Sequence, residues 1–150
     1  MNMETKTQLE TALKDAMRSG DEIGKRTLRM ALAAIRQQEI DRQVKLDEAA
    51  VLAILQKEIK TRREAVEEAQ KAGRADLMAA AQAEIAVVEK FLPKAISAEE
   101  LTALVDAAIA ECGAAGPADM GKVMKALMPR IAGRAPGDQV SAAVRQRLNS

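Results

Sequence analysis

Phe91 is the only aromatic residue in this chain of 150; tryptophan and tyrosine are absent. A core assembled almost without rings must be filled by Ala, Leu, Ile, Val and Met, and side chains of that size suit helices packed at close range. The apolar spacing agrees. Leu9, Ala12, Leu13, Ala16 and Met17 recur at three and four, and Gly20 stands where a left-handed C-terminal cap is wanted. Asp21 can cap a second helix over roughly 22–42, with Leu28, Ala31, Leu32 and Ile35 on its buried stripe. Asp47 opens the longest segment, where Val51, Leu52, Leu55, Ile59, Arg62 and Val66 keep the helical period until Gly73. Leu77, Ala81, Ile85 and Val88 follow. No window alternates as a half-buried strand does, so the expected fold class is all-α.

Pro93 cannot continue a helix and restricts Leu92 before it, which marks a boundary between a four-helix N-terminal domain, 1–93, and a small three-helix C-terminal domain, 94–150. Ser97-Ala-Glu-Glu100 has the form of a capping box. The helix it starts carries Leu101, Leu104, Val105, Ala108 and Ile109, and ends at Cys112-Gly113. A sixth helix is predicted over about 118–128 with Pro129 closing it and a loop to Gly137. Val140, Val144 and Leu148 mark a seventh.

With no histidine, the chain lacks both the usual general base near neutral pH and the usual nitrogen ligand for metals. The single Cys112 cannot form an internal disulfide; it sits beside Glu111, which disfavours a thiolate, so a packed, inert thiol is expected. The glycines never assemble a dinucleotide or P-loop fingerprint. Glu67, Glu68 and Asp76 read as solvated helix positions. No catalytic residue, cofactor or metal is therefore assigned. The N-terminus has no apolar h-region and the chain no apolar run of membrane length, giving a cytoplasmic expectation with no membrane partner.

The net charge of +1 excludes a strong global field, so any anionic partner must be met locally. Lys25, Arg29 and Arg36 flank the apolar stripe of the second helix, and Arg62 and Arg63 add charge in the third; solvated faces account for both. The end of the chain is more uneven. Residues 97–116 carry four acidic side chains and no basic one, whereas 117–150 carry six basic against two acidic, a swing from −4 to +4. Lys122 and Lys125 on one helix, with Arg130 and Arg134 in the following loop, could face phosphates; pairing between helices would explain the same asymmetry. With no aromatic residue in this region, a nucleic-acid contact would run through backbone and shape. Met120, Met124 and Met128 share a face and suit either core packing or an adaptable protein-binding surface.

The segments Arg29-Met-Ala-Leu-Ala-Ala-Ile-Arg-Gln-Gln-Glu-Ile-Asp41, Lys71-Ala-Gly-Arg-Ala-Asp-Leu77, Phe91-Leu-Pro93, Asp119-Met-Gly-Lys-Val-Met124 and Gly133-Arg-Ala135 resemble the YqeY-like (GatB/YqeY) family from about residue 5 to 148. The resemblance implies an all-helical protein whose C-terminal part is similar to the tail domain of the tRNA-dependent amidotransferase B subunit. It further implies a tRNA-binding accessory role without catalysis by the chain alone, beside a family label of carbon–nitrogen ligase with glutamine as amido-N-donor. tRNA, amidotransferase subunits or another protein are the partners it suggests, and Lys122, Lys125, Arg130 and Arg134 the tRNA-backbone contacts. The alternative is a helical protein–protein interaction module that binds no nucleic acid. Two positions depart from the family pattern: Phe91 stands where Tyr is common, and Pro136 where an Asp could cap the last helix, a role left to Asp138.

Overall fold

The computed structural model describes residues 4–149, and among them every regular element is helical. Packing groups them into two compact units, divided in sequence between Leu92 and Pro93.

The first unit holds α1 (Thr5–Ser19), α2 (Glu22–Arg42), α3 (Glu48–Lys71) and α4 (Ala75–Glu89), with α1 packed along α2 and α3 along α4. Leu9, Leu28, Ile35, Leu55, Ile59 and Val88 are all but removed from solvent at its centre, and Phe91 and Leu92 lean on this core half-buried. Local chemistry sets most boundaries. Asp21 accepts from the Gly24 N–H at 3.0 Å, and Asp47 from the Ala50 N–H at 2.9 Å. Gly20 ends α1 at φ 76°. The start of α1 has no local side-chain cap; Glu48 of α3 takes the Thr5 N–H at 3.1 Å and its hydroxyl instead. The expected stripe of α4 is shorter than its spacing suggests, because Leu77 is exposed in the first turn.

The second unit holds α5 (Ala98–Cys112), a 3-10 turn at Pro117–Asp119, α6 (Met120–Ile131) and α7 (Gly137–Leu148). Val105, Ala108, Val123, Leu127, Ile131, Val140 and Val144 are buried between the three helices. Ser97 caps α5 through the Glu100 N–H at 3.1 Å, and the buried pair Ile96 and Leu101 brackets that cap as a hydrophobic staple does. Glu100 does not close the capping box; its carboxylate goes to Arg134.

Pro129 does not close α6. The helix runs one turn further because Ile131, four residues beyond Leu127, is fully buried, and ends where Ala132 and Gly133 turn left-handed at φ 51° and 78°. Proline in a last turn forfeits one hydrogen bond to the carbonyl four residues back, which burial of Ile131 outweighs. Asp138 is not the cap of α7. That position is Pro136, and Asp138 lies within the first turn, accepting from the Gln139 N–H at 3.0 Å.

Candidate nucleic-acid interface

Half of the six C-terminal cations are paired within the unit. Arg134 donates through Nη1 to Glu100 at 2.9 Å and through Nε to the Lys94 carbonyl at 3.0 Å, while its own carbonyl receives the Ile96 N–H at 3.0 Å. It thus ties the α6–α7 connection to the segment that enters α5. Arg130, in the last turn of α6 and not in the loop expected for it, pairs with Glu111 at the end of α5. Arg147 of α7 holds Asp106 of α5 through two contacts of 2.6 and 2.8 Å, and that guanidinium keeps the Asp106 carboxyl below the usual carboxylate range. Pairing between helices therefore accounts for three of the six cations, including two of the four assigned to phosphate.

Lys122 and Lys125 are arranged differently. Three residues apart on the solvent side of α6, opposite the buried Val123 and Leu127, they point into water less than one helical turn from each other. Neither side chain forms an ion pair or hydrogen bond among the described residues. The Ala115 N–H, first, and then the charge of Lys122 hold the Asp119 carboxyl low. Of the four predicted residues, Lys122, Lys125 and Arg130 are exposed and Arg134 is half-buried, and the two arginines have carboxylate partners.

The methionine stripe divides too. Met120 and Met124 pack half-buried against the second core, whereas Met128 is 38% exposed. Cys112 is half-buried, its Sγ 3.8 Å from the Lys122 carbonyl oxygen. No group of three or more metal-ligating side chains exists among the described residues, nor is any helix there long and apolar enough to cross a membrane.

One polar cluster escaped the sequence reading. Arg62, taken for a solvated cation, is only 7% exposed. Its Nη1 donates to the Glu58 carboxylate at 2.6 Å and to the Glu58 carbonyl at 3.1 Å, and its Nε lies 3.8 Å from Glu84 without a hydrogen-bond partner. Arg26 reaches the same Glu84 at 3.5 Å. The available signal was Arg62's place inside the apolar stripe, three residues after Ile59.

The described residues thus form two helical units, with an exposed lysine pair on one and a buried arginine in the other. The family model for Yqey-like proteins matches residues 6–148, and the chain belongs to that family. It is also similar to proteins called altered inheritance of mitochondria protein 41, mitochondrial, from two fungi. The Eremothecium gossypii protein is 40% identical over 107 residues, 69% of this chain and 58% of that protein. The Lachancea thermotolerans protein is 35% identical over 91 residues, 60% of this chain and 49% of that protein. The chain thus spans about half the length of the curated relatives it matches. These names correct the cytoplasmic expectation, since both relatives are called mitochondrial. A missing h-region bears on secretion only; mitochondrial import reads amphipathic, arginine-rich segments.

Proposed function

We propose that this YqeY-like protein is a non-catalytic accessory factor that holds tRNA by its phosphate backbone, with 1–93 and 94–150 acting as separate domains and the second making the contact. The observation that carries this reading is the lysine pair at 122 and 125, exposed and without an ion pair among the described residues, in a unit whose arginines at 130, 134 and 147 already have carboxylate partners. Phosphate contacts of this kind give affinity and register without base specificity. Arg130 and Arg134 hold the end of α6 and the connection after it against the two ends of α5 through Glu111 and Glu100. The resemblance of the C-terminal part to an amidotransferase tail favours the same role, in which activation chemistry belongs to other subunits.

A mobility-shift titration with total tRNA at several salt concentrations tests this. The Lys122→Ala/Lys125→Ala double variant should bind more weakly, with a salt slope shallower by about two, roughly one per lost phosphate contact. The Arg130→Ala/Arg134→Ala variant should lose thermal stability while keeping a salt slope near that of the wild type. Equal retention of tRNA by the wild type and the lysine variant refutes the assignment.

A further inference from the structure

α2 turns its apolar stripe inward, burying Leu28, Ala31 and Ile35, yet its outward side is not simply hydrated charge. Glu22, Arg26, Arg29, Ala33, Arg36 and Ile40 follow one another at alternating steps of four and three, the spacing of a seam that a second helix can follow. All six are exposed, Ile40 at 63%, and Met30 flanks the seam at 50%. The charges on it are mainly cationic and only partly compensated. Arg26 reaches Glu84 at 3.5 Å, and Arg29 touches only the Met17 sulfur, at 3.5 Å. Arg29 and Arg36 form no ion pair among the described residues, and they stand two turns apart, about 10.5 Å along the axis. Ala33, between them, leaves room for a close approach.

We propose that this face of α2 docks an acidic amphipathic helix of a partner protein, whose carboxylates meet Arg29 and Arg36 while apolar side chains cover Ala33, Met30 and Ile40. The planar guanidinium takes a carboxylate through two parallel hydrogen bonds, so two arginines at heptad spacing fix register as well as attraction. A second copy of the chain does not fit, because two such faces would set arginine against arginine. An RNA backbone would satisfy the arginines and leave Met30 and Ile40 against hydrated phosphates with nothing gained. An anionic bilayer is a poor match too: helices that lie in membranes sink a continuous apolar face, and that of α2 is in the core.

The test uses the full chain and a synthetic helical peptide of about three heptads, with Glu at one seam position per heptad and Leu at the other, beside a twin with Lys in place of Glu. Backbone-amide NMR should show the Glu peptide shifting signals of residues 25–44. Arg29→Glu/Arg36→Glu should weaken that binding at least tenfold and bind the Lys peptide instead, with unchanged far-ultraviolet circular dichroism. Should the reversal perturb folding, Arg29→Ala/Arg36→Ala should give the same loss without the swap. Lys122→Ala/Lys125→Ala should bind the Glu peptide as the wild type does, which separates this surface from the tRNA reading. The inference is overturned if the Glu peptide fails to bind or binds the charge-reversed chain equally. Stronger perturbation of these amides by tRNA or by phosphatidylserine vesicles would overturn it as well.

Discussion

Arg62 shows how much one buried guanidinium can matter in a small helical unit. Its fork is shared between Glu58 and Glu84, and its Nη2 lies 3.9 Å from the Met30 sulfur. Removing one partner from a buried pair leaves the other charged and desolvated, at a cost of about 3–5 kcal/mol in fully enclosed cases. Glu58 and Glu84 keep some solvent access, so Arg62→Ala should cost roughly 2–3 kcal/mol in urea unfolding monitored at 222 nm. Arg62→Met with Glu58→Gln and Glu84→Gln should recover most of that loss, since the orphaned charges go with the cation. The residue's burial was readable from its register beside Ile59. Its carboxylate partners were only half readable: Glu58 is four residues away on the same helix, whereas Glu84 comes from α4 and no local spacing announces it. Asp106 gives a pH dependence of definite sign. Arg147 holds its folded pKa below the ordinary value, so its contribution to stability is complete above about pH 4 and disappears as pH falls through the depressed folded value. Acid titration should therefore show the wild type losing stability relative to Asp106→Asn below about pH 4, with no pH-dependent difference from Asp106 between pH 5 and 8.

Among the elements, those set by local chemistry were legible and those set by tertiary burial were not. Asp21, Asp47 and Ser97 sit where side-chain caps are needed, and each accepts the backbone N–H three residues on. Ser97→Ala should cost the second unit about 1 kcal/mol, measurable as a lower thermal midpoint. α6 went the other way, because a proline read locally ends a helix while buried Ile131 extends it. Pro129→Ala should restore a donor to the Lys125 carbonyl and stabilise the unit by about 1 kcal/mol, less than the roughly 3 kcal/mol for an interior proline because this is the last turn. The candidate site divides along the same line. Lys122 and Lys125 were legible from period alone, since they lie opposite Val123 and Leu127. For Arg130 and Arg134, pairing between helices was legible as an alternative but the particular partners were not, because those carboxylates belong to α5, 19 and 34 residues earlier.

For the molecule as a whole, the physical question is whether two compact units unfold as one. Each has its own set of fully buried side chains, Leu9, Ile35, Leu55 and Ile59 in the first and Val123, Leu127, Ile131 and Val144 in the second. A unit as short as the second buries a smaller share of its surface than a larger domain does, so it starts nearer the threshold of stability. Leu127→Ala opens a cavity at a fully buried position and should cost about 2–5 kcal/mol, comparable with the whole margin of so small a unit. The chain lacks tryptophan and tyrosine, so indole and phenol signals cannot follow the loss, and amide hydrogen exchange is the fitting probe. If the units are autonomous domains, as we propose, amides of α5, α6 and α7 in Leu127→Ala should exchange at rates near those of unfolded chain while the centres of α2 and α3 keep wild-type protection. If protection falls across both units together, the division at Leu92–Pro93 is one of packing alone, and the chain folds as a single cooperative body.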